Sequence, residues 1–172
     1  LATPASGKVM RRFLRAKATA VSARSAATLT AGMEGEEQTC RLWLLPPGSR
    51  SPVLLSVLDG AGFQARPVAP GEVLSLFGEN LGPAEGGGAA LGPDGRVSTE
   101  LNGTRVWMNG VAAALLYVQG GQINAVAPFA LAGASLTSLE VDVGGDRSNA
   151  VTLPMAATAP GVFTKNASGY GQ

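Results

Sequence analysis

Hydrophobic and polar residues alternate along most of the chain with a period of two, the pattern of strands with one buried face. Between Pro52 and Ala159 the pattern predicts strands over Val53 to Leu58, Glu72 to Phe77, Thr104 to Met108, Val111 to Val118, Ile123 to Ala127, Leu136 to Val143 and Ala150 to Met155. Turn formers interrupt them at the spacing of a β-sandwich. Asn109-Gly110, in "MNGV", stands between two strands, and both residues tolerate the positive φ of a two-residue hairpin. "VGGDRS", Val143 to Ser148, reads as a second hairpin connection. "GPAEGGGAALGPDGRV", Gly82 to Val97, has little to bury and reads as a long mobile loop.

Upstream, "AATLTAGMEGEEQTCRLWLLPPG" (Ala26 to Gly48) reads as strand, turn, strand and a Pro-Pro stop. Cys40, Leu42 and Leu44 fall on one face of its second strand, and Thr39, Arg41 and Trp43 on the other. A hairpin alone cannot bury that face, so the segment is expected to close a domain with further strands. Before it, Lys8, Arg11, Arg12, Arg15, Lys17 and Arg24 precede the first acidic residue, Glu34. Val9, Met10, Phe13 and Leu14 fit a basic amphipathic helix, whereas Leu14, Ala16, Ala18 and Ala20 alternate as in a strand. The strand is the expectation, pairing with Ala26 to Ala31 and Thr39 to Leu45. The predicted organisation is residues 1–47 as the end of a truncated β domain, 48–52 as linker, 53–159 as a sandwich and 160–172 as the start of a following module.

Composition narrows the function classes. Of 172 residues, 15% are charged and the formal net charge is +1, while Gly (24) and Pro (11) are abundant, as in a loop-rich β protein. So small a net charge argues against nucleic acid as a partner. The single cysteine, Cys40, forms no disulfide within the chain, and the absence of histidine removes the commonest general base and metal ligand. No apolar run approaches the ~20 residues that span a bilayer. The chain starts at Leu1 and reads as an internal stretch of a longer protein.

Catalytic constellations are weak. The serines lack a recognisable base. Glu140 and Asp142 share a strand face but read as solvated charge, as do Glu36 and Glu37. Asp59, Asp94, Asp142 and Asp146 do not have the spacing of a calcium loop. Asn102-Gly103-Thr104 and Asn166-Ala167-Ser168 match glycosylation sequons but read as turn chemistry. The expectation is therefore no catalytic residues, no metal and no cofactor. The aromatic residues say more. With Thr104, Val106 and Met108 inward, Trp107 faces out beside Arg105, where a cation–π pair is expected. Phe77 likewise points away from Leu74 and Leu76. Trp107, Arg105 and Phe77 are the binding candidates, against the plainer reading of contact with a neighbouring module.

The stretch "APGEVLSLFGENLG" resembles the first strand of IPT/TIG immunoglobulin-like folds, with Leu74, Leu76 and Leu81 inward. Gly78 is expected to bend and end the strand, and Asn80 to bond local backbone beyond it. A phosphate-cradling role for these glycines lacks the motif and the following helix. "VLDGAGFQARPVAPGEVLSLFGENLGP", "NGTRVWMNGVAAALLYVQGGQINAVAPF" and "SNAVTLPMAATAPGVFT" together resemble the carboxy-terminal domain family of large secreted acidobacterial proteins of the Solibacter type. The matching positions are Asp59 to Phe63, Met108 to Val111, Gln122 to Asn124 and Pro160 to Phe163, with Asp59-Gly60 in place of the usual Asn-Ala. "FLRAKATAV" and "CRLWLLPP" are similar to the last strands of bacterial Ig-like repeats. The resemblance implies an all-β immunoglobulin-like sandwich, secreted or at the cell surface. It also implies a non-catalytic role in spacing, adhesion or docking, with neighbouring domains of the same polypeptide, or a surface protein, as partners. The alternative is an accessory carbohydrate-binding domain of a secreted hydrolase, with polysaccharide as partner and Trp107 as its platform.

Overall fold

A computed structural model of the chain describes residues 22, 25–33, 36–44, 46 and 48–164. The chain divides into two compact units, Leu1–Ser49 and Arg50–Gln172. In the first, β1 (Ser25–Met33) and β2 (Glu36–Leu44) pair antiparallel, from Ser25 opposite Leu44 to Met33 opposite Glu36. The expected strand in the basic stretch lies outside the described residues, as do residues 165–172 and the side-chain directions of Cys40 and Trp43.

The second unit is an all-β sandwich of two antiparallel sheets. Its strands are β3 (Val53–Asp59), β4 (Val73–Glu79), β5 (Gly87–Gly88), β6 (Thr104–Met108), β7 (Val111–Ala112), β8 (Ala114–Gln119), β9 (Gln122–Val126), β10 (Leu136–Val143), β11 (Asp146–Arg147) and β12 (Val151–Pro154). One sheet has the order β11-β10-β6-β7, with β12 also beside β10, and the other has the order β3-β4-β9-β8-β5. A 3-10 turn, Phe129–Leu131, precedes β10. Alternation places Leu74, Leu76, Ile123 and Ala125 from one sheet against Val106, Met108, Leu139 and Val141 from the other, all buried. Each of these side chains larger than alanine contributes about 1.5–3 kcal/mol on leaving water. Leu81 is also buried, as the pattern predicts.

Four expectations need correction. The strand expected over Val111 to Val118 is broken at Ala113, where the chain leaves one sheet as β7 and enters the other as β8. Ala113 is fully buried and donates its N–H to the Val106 carbonyl, and its small side chain lets the backbone cross between the sheets. The long loop is not free of pairing, because Gly87 and Gly88 form an edge strand against Val118 and Tyr117. Gly78 does not end its strand, which runs on to Glu79. A side chain there would collide with the Val53 carbonyl oxygen of β3, so close approach of backbone requires the glycine. Asn80, in the left-handed region at φ 55°, bonds no local backbone; its Nδ2 donates to the Ser51 carbonyl, 3.3 Å away, on the incoming chain.

Candidate functional site

Asn109 and Gly110 have φ values of 48° and 79°, so the β6–β7 connection is the tight hairpin that its sequence demands. Asn109 also fixes that turn to β10. Its N–H donates to the Ser138 carbonyl at 2.9 Å, its Oδ1 accepts from the Ser138 N–H at 2.8 Å, and its Nδ2 donates to the Leu136 carbonyl at 3.1 Å. The turn therefore walls one side of a depression of about 240 Å³ on the outer face of the sheet, lined by Trp107, Asn109, Gly110, Ser138, Glu140 and Arg147.

Trp107 is half-buried at the floor of this depression, between Ala112 on β7 and Glu140 on β10. Arg147, from β11, reaches over the indole with its guanidinium carbon 5.8 Å from the ring centroid. It is held there by Glu140, whose Oε2 accepts from Nη1 at 3.0 Å, and by Asp142 at 3.8 Å. The expected Arg105–Trp107 pair is not what forms. Arg105 lies outward, as the alternation predicts, but its guanidinium pairs with Glu100. The cation on the indole comes from across the sheet, not from two residues along the strand. The indole Nε1–H is buried and has no hydrogen-bond acceptor.

Phe77 sits on the outer face of the other sheet, half-buried, with the Phe63 ring tilted at 55° and 6.0 Å away. Trp107 and Phe77 thus belong to opposite faces of the sandwich and do not form one surface. Around Phe77 the outer face carries Ser56, Ser75, Gln122, Asn124 and Gln119, in register across β3, β4, β9 and β8.

A polar cluster that the sequence did not single out lies where the chain leaves the sandwich. The Asp59 carboxylate is buried and accepts the N–H groups of Ala61 (3.0 Å), Gly62 (2.7 Å) and Gln64 (2.8 Å). Burial pushes its pKa up, but these three bonds and Arg66, 3.1 Å away, prevail and hold it below the ordinary value. Glu72 lies the other way. Burial, and to a lesser degree the Asp59 charge, raise its pKa against the opposing Ala69 N–H and Arg66. Arg66 Nε stands 3.7 Å from Glu72 Oε1, and neither atom has a hydrogen-bond partner. From the same guanidinium, Nη1 donates to the Pro160 carbonyl at 3.0 Å. The signal for this cluster was local: an Asp followed by glycines at the next and third positions, a side chain placed to cap its own loop.

No protein-family model matches the chain, and no curated protein matches it. Among the described residues, no group of three or more His, Cys, Asp or Glu stands where it could hold a metal ion, and no helix is long and apolar enough to cross a membrane. Fold and site together define an all-β antiparallel sandwich whose polar clusters fix its turns and the path of its chain.

Proposed function

We propose that the unit from Arg50 onward is a non-catalytic, immunoglobulin-like spacer in a larger secreted or cell-surface protein. The observation that carries this reading is the path of the chain. It arrives at Val53, at one end of β3, and leaves through Pro160 beside Asp59, at the other end of the same strand, about 20 Å away at the usual strand rise. Between these points the last segment meets the earlier chain at three places and advances from the Leu54 end towards the Asp59 end. Asn149 grips Leu54 near the arriving end, Met155 forms a parallel bridge with Val68, and Pro160 meets Arg66. Arrival and departure at opposite poles extend a tandem array instead of doubling it back. Both ends are also tied to the sandwich, by Asn80 on Ser51 and by Arg66 on Pro160.

Force applied to the two ends would load the contacts between first and last segments together, in shear. Optical-tweezer pulling on the full chain in a Cys40→Ser background tests this. Handles at Arg50→Cys and Thr164→Cys shear those contacts, whereas handles at Arg50→Cys and Glu79→Cys peel β3 from β4 one pair at a time. The spacer reading expects a distinctly higher rupture force for the first pair. Equal forces, or a lower one for the first pair, would contradict it.

A further inference from the structure

We propose that the depression over Trp107 is a binding site for a single sugar ring of a polysaccharide. This inference is independent of the spacer reading. Its first support is the indole itself, half-buried on the outer face of the sheet with a cation held over its ring, the electron-rich face on which the C–H groups of a sugar also stack. The second is the composition of the walls. A half-buried indole on the floor, the Glu140 carboxylate, the Arg147 guanidinium and the Ser138 hydroxyl form an apolar ring bordered by donors and acceptors. A pyranose has the matching construction, with an apolar face of C–H groups that stacks on an aromatic ring and a rim of hydroxyls that both donate and accept.

Size separates a sugar from a protein partner. About 240 Å³ is below the ~300–1,000 Å³ of clefts that enclose drug-sized ligands, and it suits one small ring instead of a peptide segment. Arg147 borders the depression, its guanidinium carbon 5.8 Å from the ring centroid, and its ion pairs with Glu140 and Asp142 hold it at the rim. There it donates to a ligand hydroxyl. The exposed sugar hydroxyls then continue outward as glycosidic links, since the depression opens on the face of the sheet.

Affinity electrophoresis of the full chain tests the proposal in native gels containing a mixed-linkage β-glucan, a xylan, a galactomannan or a dextran. At least one polymer should retard the chain, and Trp107→Ala should abolish the retardation. Trp107→Phe keeps a smaller stacking ring and should weaken retardation less than Trp107→Ala does. Arg105→Ala, which touches Glu100 and not the depression, should leave retardation unchanged. The methyl glycoside of the retarding sugar should move the Trp107 indole N–H resonance, identified by its loss in Trp107→Phe. Far-ultraviolet dichroism confirms that each variant is folded. Retardation by none of the four polymers overturns the proposal, as does retardation that survives in a folded Trp107→Ala or an indole N–H that stays in place while the sugar binds.

Discussion

Replacing Asn149 by alanine tests how the sandwich is closed. The Asn149 side chain acts as a missing piece of strand. Its Oδ1 accepts the Leu54 N–H at 3.0 Å and its Nδ2 donates to the Leu54 carbonyl at 2.9 Å, with both residues buried. Leu54 needs such a partner because β3 is an edge strand, with β4 on one side only, and these two groups point away from β4. Alanine leaves a buried donor and a buried acceptor without partners. Each such group costs roughly 1–3 kcal/mol, partly relieved if water enters, so about 3 kcal/mol is expected for the pair. Against a stability of ~5–15 kcal/mol for a domain, that is a large fraction, and it corresponds to a fall in Tm of about 10 °C. Urea denaturation in a Trp43→Phe background, with Trp107 as the only indole reporter, measures it. Asn149→Asp keeps the acceptor and loses the donor, placing a carboxylate against the Leu54 carbonyl. It should be at least as damaging at neutral pH and recover on acidification, as the protonated acid regains a donor. A loss below about 0.5 kcal/mol for Asn149→Ala, the range of surface substitutions, would refute the reasoning, as would an Asn149→Asp variant of wild-type stability at neutral pH.

Leu74→Ala, a truncation in the core, should cost about 2–5 kcal/mol, and Trp107→Ala distinctly less, by the same denaturation assay with dichroism as the signal. Gly78→Ala should destabilise through collision with the Val53 carbonyl and free the amides of β3 to exchange faster with deuterium. Asp59 and Glu72 predict opposite pH effects. The Glu72 pKa is raised above 4.5, so stability should rise as pH falls through that raised value; the Asp59 pKa is depressed below 3.8, so its contribution, complete above 3.8, is lost as pH falls through the depressed value. Thermal melts across this range should show a rise that Glu72→Gln removes and an acid-side loss that Asp59→Asn removes.

The strands were legible wherever one face is buried, because alternation in Thr104 to Met108 and Leu136 to Val143 records inside and outside directly. The Asn109-Gly110 turn was legible because two residues alone satisfy its geometry. What could not be read depends on residues distant in sequence. Arg147, not Arg105, covers Trp107, because a strand neighbour two positions away points the same way but competes with Glu100, whereas a residue across the sheet leans over the ring. Ala113 gives no local sign that the chain changes sheets there. Gly78 suggested a bend, but its cause is the passing β3 backbone, 25 positions earlier at Val53. The binding candidates were chosen by outward direction alone, which cannot tell one face of a sandwich from the other, so Phe77 was grouped with Trp107.

The contacts that tie the first segment of the sandwich to the last also set when it can form. Leu54 and Asn149 are 95 residues apart, and Arg66 and Pro160 are 94. Contacts of such separation slow folding, because the intervening chain must be ordered before they repay the entropy of closing it. During synthesis β3 emerges first, yet both backbone groups of Leu54 lack their partner until Asn149 has left the ribosome. Nearly the whole unit must therefore be made before its opening strand is secured, and until then the margin of β3 beside Leu54 offers hydrogen bonds to any neighbouring chain. On the spacer reading proposed above, in an array of such units, a nascent β3 would meet the completed sandwich before it. The close backbone approach that Gly78 permits and the side-chain grip of Asn149, which a plain strand does not reproduce, would then decide whether each β3 joins its own unit or the wrong one.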